Sequence, residues 1–182
     1  MICLKPLVPN TPDAALADAL NRRAFPENEY VPMAGMMAEV PRGEVEILGV
    51  YVEDRFSGFL VMRCWESIAY VPFFAISEEA RCQGVGGQSL RLLQDYYPGK
   101  QIVVDFEAID DEAPNAAQRR RRRAFYLRNG LHPTGWYAYY SETEFEIVCS
   151  GEEFDDRAFC DLFAHIHRPF PDFDPRVYRK DI

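Results

Sequence analysis

Histidine is sparse in this chain, cysteine is scattered, and no apolar run is long. None of the apolar stretches approaches the roughly 18 residues a bilayer-spanning helix needs. The opening residues Met-Ile-Cys-Leu-Lys-Pro-Leu lack the charged start and long apolar core of a secretory leader, so a cytoplasmic protein is expected. Five cysteines (Cys3, Cys64, Cys82, Cys149, Cys160) are odd in number and contain no Cys-x-x-Cys pair. That suits reduced thiols better than a disulfide frame or a zinc site. Of the three histidines, His165 and His167 stand two apart in a helical pattern and so face different ways, which speaks against a metal pair. His132 follows a helix end and reads as structural. Positive charge is in deficit too. The formal net charge of −9 opposes whole-molecule binding to nucleic acid or membranes, and favours a cationic substrate.

What the chain does have is apolar and aromatic weight. Across 182 residues, 48% are hydrophobic and 14% aromatic, enough for one domain with a core and too few residues for two comfortable ones. The expected organisation is a main domain over 1–150, with a helix and tail over 151–182 packed on it. Ile2 to Leu7 reads as a first strand. Thr11-Pro12-Asp13 supplies an N-cap, a proline at the first helical position and an early acid. The helix that follows carries Leu16, Ala19, Leu20 and Ala24 at core spacing and stops at Pro26. Val45 to Val52, Phe56 to Cys64 and Ile68 to Ile76 are three strand-like runs, with tight turns at Asp54-Arg55 and Glu66-Ser67 predicting an antiparallel meander. Gly58 marks a bulge or a close approach, and Pro72 implies a bulge or a one-sided edge. Gln101 to Ala108 is a further strand, and a helix from about Ala116 to Asn129 ends on Gly130. Thr134 to Tyr140 and Phe145 to Ser150 form a hairpin around Ser141-Glu-Thr. Phe159, Leu162, Phe163 and Ile166 mark a last amphipathic helix, and the tail from Arg168 onward carries no legible pattern.

The organising stretch is Arg81-Cys82-Gln83-Gly84-Val85-Gly86-Gly87. An apolar strand, Ala69 to Ile76, precedes it. A helix follows, with Leu90, Leu93 and Tyr97 on one stripe and Gln88, Arg91 and Asp95 facing away. A glycine turn at a helix start presents free N–H groups and the positive end of the helix dipole, an arrangement suited to an anion. Side chains at Gly84 and Gly86 would hold a phosphate off those groups. No lysine follows the glycines, which excludes a Walker A loop. A dinucleotide fingerprint needs another correctly spaced glycine and a later acid.

The Arg-x-x-Gly-x-Gly pattern resembles the pyrophosphate loop of the GNAT N-acetyltransferases, which bind acetyl-coenzyme A. Downstream, Ala124-Phe-Tyr-Leu-Arg-Asn-Gly130-Leu131 resembles the same family's Tyr-x-x-x-Gly-Phe helix, in the right order. The resemblance covers residues 1 to about 150 and is strongest from 70 to 140. It implies an α/β fold with a mixed, mostly antiparallel central sheet flanked by helices. It also implies direct transfer of an acetyl group from acetyl-CoA to a primary amine in a ternary complex. The coenzyme-binding positions it points to are Phe74, Ala75 and Ile76 at the end of the strand and Arg81, Cys82, Gln83, Gly84, Val85, Gly86 and Gly87 in the turn. In the family the third strand is bulged and splays to admit the pantetheine arm. The region around Phe25 to Pro32 lies over the acceptor in the family, where Glu27 and Glu29 could meet an amine, although solvated surface acids suit both.

Transfer to an amine requires a proton acceptor and a group that protonates the leaving thiolate. Val104-Asp105-Phe106 resembles the segment where family members place a basic glutamate. Asp105 sits there, and Glu107 falls on the same strand side two residues on; two nearby carboxylates raise each other's pKa. An exposed strand end with two solvated acids is the competing reading. Tyr126 matches the family tyrosine near the sulfur, a neutral phenol able to donate to a thiolate, although a core aromatic would read alike.

Arg119 to Arg123 is the oddest run. Five consecutive helical residues sweep about 400°, so they cannot share one solvated stripe. Arg119, Arg122 and Arg123 fall on the face of Tyr126. Arg119 and Arg122 stand where the family often has asparagine and alanine. They could pair with Asp105, Glu107, Asp110 and Asp111, or meet coenzyme phosphates; a nucleic-acid patch is the third reading. The alternative to an enzyme is a GNAT-fold module that binds coenzyme A without turnover, as a sensor or partner domain. No residue pattern identifies the amine or sets the oligomeric state, and a homodimer is left open.

Overall fold

A computed structural model describes residues 1–27, 29–168 and 175–180. Asn28, within the stretch expected over an acceptor, and residues 169–174 and 181–182 of the unassigned tail lie outside the described residues. The strands run in the order β1-β2-β3-β4-β5-β7-β6-β8, mostly antiparallel, and five α-helices accompany them among the described residues. The chain separates into two compact units, one of Met1–Cys64 and Val71–Pro98, the other of Trp65–Tyr70 and Gly99 onward.

The first unit opens with β1 (Ile2–Pro6), α1 (Pro12–Ala24), α2 (Met33–Glu39), β2 (Glu46–Val52) and β3 (Arg55–Trp65). The Thr11 hydroxyl caps α1 by accepting the Ala14 N–H at 3.3 Å, with Pro12 and Asp13 in the first turn as expected. The buried face of α1 is Ala14, Ala17, Leu20 and Asn21, while Leu16 is 52% exposed and Ala19 lies in solvent. The core stripe is therefore rotated from the expected one. Small alanines at i and i+3 let the helix approach its neighbours, and Leu16 is left outside. The core here gathers Leu7, Leu20, Met33, Met36, Ile47, Phe59 and Val61.

The β2–β3 hairpin turns on Glu53 and Asp54, both at positive φ (48° and 65°), one residue earlier than expected. That left-handed pair is the turn whose twist matches a two-residue hairpin. Register slips between Val50↔Gly58 and Tyr51↔Phe56, so Ser57 is the extra residue of a bulge. Gly58 is also a close approach: a Cβ there would stand 2.4 Å from the Ala75 carbonyl oxygen. Both readings of this glycine hold. β4 (Ile68–Ile76) stands between β3 and β5 in the strand order, so Pro72 does not mark an edge. Further along, Glu46 accepts from the hydroxyls of Tyr96 (2.7 Å) and Tyr97 (2.5 Å), fastening the end of α3 (Val85–Tyr96) to the start of β2.

The second unit holds β5 (Gln101–Glu107), α4 (Ala116–Arg128), β6 (His132–Tyr140), β7 (Thr143–Cys149), α5 (Asp156–His167) and β8 (Arg176–Arg179). Ile68–Tyr70 pair in parallel with Gln101–Val103, whereas the β5–β7, β6–β7 and β6–β8 ladders are antiparallel. The β6–β7 hairpin turns on Ser141 and Glu142 at φ 47° and 57°. The core of this unit joins Ile68, Tyr70, Val103, Phe145 and Ile147 to Phe159, Leu162 and Phe163 of α5. The helix after residue 150 is thus part of this core. The tail supplies β8, which pairs with β6 from Trp136↔Arg179 to Tyr139↔Arg176. Its four residues, Arg-Val-Tyr-Arg, are too few to show a strand period in sequence.

Candidate functional site

In the first unit the candidate site is the turn from Arg81 into α3. Gly84 is the N-cap at φ +77°, a left-handed conformation that glycine adopts without a Cβ penalty. Among the described residues no side chain caps the helix, and the first backbone bond inside it is Gln88 N–H to Gly84 C=O at 3.0 Å. The N–H groups of Val85, Gly86 and Gly87 therefore precede the helical ladder. Among the described residues, and apart from the turn's own neighbours, no heavy atom lies within 4 Å of where a Gly84 Cβ would stand. Cys82 also adopts positive φ (61°) and is exposed, so its backbone shapes the turn. Arg81 Nε donates to the Ile76 carbonyl (3.0 Å) and Gln83 Nε2 to the Glu79 carbonyl (2.6 Å), tying the turn to the end of β4 and to the residues just after it. Phe74 and Ile76 are half-buried on that strand and Ala75 is buried. The residues present fit a pyrophosphate: a glycine cap, uncapped N–H groups and an exposed arginine.

In the second unit Asp105 and Glu107 belong to different clusters. Asp105 Oδ1 accepts from the Tyr70 hydroxyl and Oδ2 from the Tyr140 hydroxyl, each at 2.8 Å. Burial pushes its pKa up from the ordinary 3.8, and the two phenol hydrogen bonds pull the other way. A mutual rise with Glu107 is not among the causes, because Glu107 turns to α4 instead. Glu107 Oε1 meets Arg119 and Oε2 meets Arg122, both at 3.0 Å, and the Asn115 amide donates to both oxygens at 3.0 and 3.1 Å.

The arginine run divides by face as its geometry requires. Arg119, Arg122 and Arg123 are half-buried, whereas Arg120 and Arg121 are exposed. Arg119 adds bonds to the Asn115 side chain (2.8 Å) and the Ala108 carbonyl (3.0 Å). Arg123 Nε reaches the two oxygens of buried Glu146 at 3.0 and 2.8 Å, and Arg120 pairs with Asp111 at the surface. Intramolecular ion pairing thus accounts for four of the five arginines. It also pins α4 to β5 and β7.

That anchoring places Tyr126. Its ring stacks on Phe106 with centroids 5.1 Å apart and planes at 16°, and meets Phe125 edge-on. Burial pushes its phenol up to about 12; the Arg122 charge opposes this and the Asp105 charge adds to it. Below Tyr126 the helix ends in a Schellman motif. Gly130 at φ +89° donates to the Leu127 carbonyl, and buried Leu131 donates to the Tyr126 carbonyl. The Tyr-x-x-x-Gly spacing is therefore the spacing from C3 to C′ of a helix terminus. A cleft of about 320 Å³ lies beside this cluster, lined by Ala108, Asp110, Arg119, Glu142 and Glu144 among others. Of the acids noted over the acceptor region, Glu27 is exposed and Glu29 half-buried. Among the described residues no cluster of His, Cys, Asp and Glu suits a metal, and no helix is long and apolar enough to cross a membrane.

The sequence reading missed Tyr70 and Tyr140. Tyr70 sat unmarked within an apolar strand, and Tyr140 closed an aromatic run, Trp136-Tyr-Ala-Tyr-Tyr140, in which nothing singles out one ring.

No protein-family model matches the sequence, and no curated protein matches it. Solved structures do. A protein from Bacteroides thetaiotaomicron assigned to the GNAT acetyltransferase family superposes with a TM-score of 0.71 at 19% identity, over 91% of this chain and 96% of that one. The ribosomal-protein-S18-alanine N-acetyltransferase of Escherichia coli gives 0.60 at 17% identity, over 85% and 96%. A GNAT-family acetyltransferase from Elizabethkingia anophelis with acetyl-CoA bound gives 0.54 at 14% identity, over 81% and 96%. The fold of this chain is that of the GNAT acetyltransferases.

Proposed function

We propose that the protein is an acetyl-CoA-dependent N-acetyltransferase acting on a primary amine. The observation that carries this reading is the start of α3 following β4, with Gly84 at the N-cap and no side-chain cap among the described residues, on a fold shared with acetyltransferases. The residues from Arg81 to Gly87 would hold the pyrophosphate through N–H groups and the Arg81 charge, with Phe74, Ala75 and Ile76 along the pantetheine arm. Acetyl-CoA supplies the activated acyl group. The amine nitrogen attacks the thioester carbonyl carbon, the carbon–sulfur bond breaks, and the acetyl group passes to nitrogen.

Two protons must move. Asp105 is the acceptor for the amine proton, an assignment supported by burial that raises its proton affinity. Tyr126 supplies a proton to the leaving thiolate, supported by a phenol that stays protonated at neutral pH. Glu107, given at the outset as a second candidate base, has both oxygens engaged by Arg119, Arg122 and Asn115, and we assign it to holding α4. A coenzyme-binding module without turnover remains the second reading, favoured by the engagement of both oxygens of each carboxylate. Thermal stabilisation by coenzyme A, followed by thiol release from acetyl-CoA across a panel of primary amines, tests both. Stabilisation with turnover supports the enzyme, and stabilisation without turnover on any amine supports the module. The absence of both overturns the coenzyme assignment.

A further inference from the structure

The cluster at the start of α4 is unbalanced in charge. Two guanidinium groups, Arg119 and Arg122, meet the one carboxylate of Glu107 at 3.0 Å each, and the fourth member, Asn115, is neutral. Among the described residues no other acid pairs with either arginine, so the cluster carries a surplus positive charge. One arginine would suffice to neutralise Glu107. The two arginines stand differently toward Tyr126. Arg122 precedes it by four residues on the same face of α4, about 6 Å away along the helix axis, whereas Arg119 precedes it by seven, about 10.5 Å away. Arg122 is tied to Glu107 by one nitrogen on one oxygen, Nη1 to Oε2, and the Tyr126 ring is fixed by its stack on Phe106. Charge and phenol therefore keep a set relation. The other groups around this helix supply no such charge. Arg123 is met by Glu146 of β7, and the Tyr137 phenol of β6 lies in the field of that pair. Asp105 of β5 opposes Arg122 at the phenol.

We propose that Arg122 is a positioning residue for proton donation, acting through Tyr126: it sets an unbalanced positive charge one turn from the phenol and readies it to protonate the leaving thiolate. The inference rests on the transferase reading above. Burial alone makes the phenol a weak donor, and an acid works best when its proton affinity lies near that of the group it protonates. A cation fixed nearby favours the phenolate and brings the phenol down toward that range. In the step, the Tyr126 O–H bond breaks as the S–H bond forms, and the electron pair stays on Oη beside the guanidinium. A proton from solvent restores the phenol once the thiol has left. Asp105 sets the timing. Once it holds the amine proton it is neutral, its opposition ends, and the Arg122 charge acts on the phenol without it. Glu107, shared with Arg119, holds the Arg122 guanidinium in place.

The test compares Arg122→Met, which keeps the aliphatic stem, with Arg122→Lys, which keeps the charge, and with Arg119→Met. Thiol release from acetyl-CoA with the best amine of the panel and the melting temperature are followed for each. Arg122→Met is expected to lower kcat roughly 10–100-fold with KM for acetyl-CoA nearly kept. Arg122→Lys should stay within about threefold, because an ammonium can remake a contact of one nitrogen on one oxygen. Arg119→Met, which loses bonds to Glu107, Asn115 and the Ala108 carbonyl, should melt lower than Arg122→Met yet keep more turnover. Losses of kcat that simply follow the melting temperature across the three variants overturn the proposal and leave Arg122 a structural residue. A second readout needs no turnover. With 2,3-difluorotyrosine in place of Tyr126, a ring with a more acidic phenol, the ¹⁹F titration should move to higher pH in Arg122→Met and hold in Arg122→Lys. The same replacement should raise turnover in Arg122→Met by more than it does beside an intact Arg122. An unmoved titration, or the lack of that rescue, also overturns the proposal. No turnover by the unmodified protein with any amine defeats the transferase reading and the proposal with it, whatever the titration gives.

Discussion

Tyr126 lies stacked on Phe106, planes 16° apart and centroids separated by 5.1 Å, so a helix aromatic and a strand aromatic share one layer. The stack holds the ring whether or not the hydroxyl has a chemical role. Tyr126→Phe keeps the ring and deletes only the oxygen. A core residue would give small changes in stability and turnover. For the acid proposed here, turnover should fall about 10²–10⁴-fold with the acetyl-CoA dissociation constant nearly kept. A loss confined to coenzyme affinity would make Tyr126 a binding residue. Because burial lifts the phenol to about 12, no loss of rate from its ionisation is expected between pH 6 and about 10.

The two turn glycines are not equivalent probes. At φ +77° Gly84 disfavours any L side chain, so Gly84→Val is expected to cost stability, on the order of 1–3 kcal/mol, besides any effect on binding. Gly86 lies in the second helical position with ordinary helical geometry. Gly86→Val should leave the melting temperature within a few degrees and still abolish stabilisation by coenzyme A. Unchanged affinity in this variant would remove the pyrophosphate from the turn.

Much of this arrangement was legible in the residues, for identifiable reasons. The α3 stripe of Leu90 and Leu93, the Gly130 terminus and the split of Arg119 to Arg123 across faces follow from the 3.6-residue period and a φ that glycine favours. The partners of the arginines did not follow, because Glu107 and Glu146 come from strands whose register is set by tertiary pairing, Phe106↔Glu146 in β5–β7. Asp105 and Glu107 have the same strand parity, yet one is taken by Tyr70 and Tyr140 and the other by α4. Strand parity says which side a residue leaves the sheet, and it is silent about the loop and helix start that reach over the strand end. The Leu16 stripe failed for a related reason. Two candidate faces of α1 were close in apolar content, and packing chose the one lined with alanine.

Glu107 is the joint of the α4 anchorage, with a side chain 10% exposed between Arg119 at 14% and Arg122 at 30%. Removing one member of a buried pair leaves the others uncompensated, typically a loss of roughly 3–5 kcal/mol. The exposure of Arg122 reduces that here. Glu107→Gln keeps the shape and should lower stability by about 2–3 kcal/mol, read by urea denaturation, with coenzyme affinity unchanged. If Glu107 is instead the base, the variant will fold normally and lose turnover with recovery at high pH. Near-normal stability together with near-normal rate would contradict both assignments.

Asp105 gives a stability prediction whose sign is opposite to that of an ordinary ion-paired acid. Its folded pKa is raised above the ordinary 3.8 by burial, so the folded state binds this proton more tightly than the unfolded chain does. Stability therefore falls as pH rises from the unfolded value through the folded one, and the full cost of a charged Asp105 is present above the folded value. Asp105→Asn removes that charge and keeps a side chain able to bond Tyr70 and Tyr140, whose hydroxyls can rotate to accept as well as donate. The variant should melt higher than the unmodified protein at pH 7–8, with a gain that shrinks as pH is lowered toward 4. It should at the same time lose turnover, the pattern expected when a functional group is kept at the expense of stability. A variant that melts lower at pH 8 would mean that the two phenol bonds to the carboxylate outweigh its burial. Asp105 would then be a structural acid, and its role as proton acceptor would lose its basis.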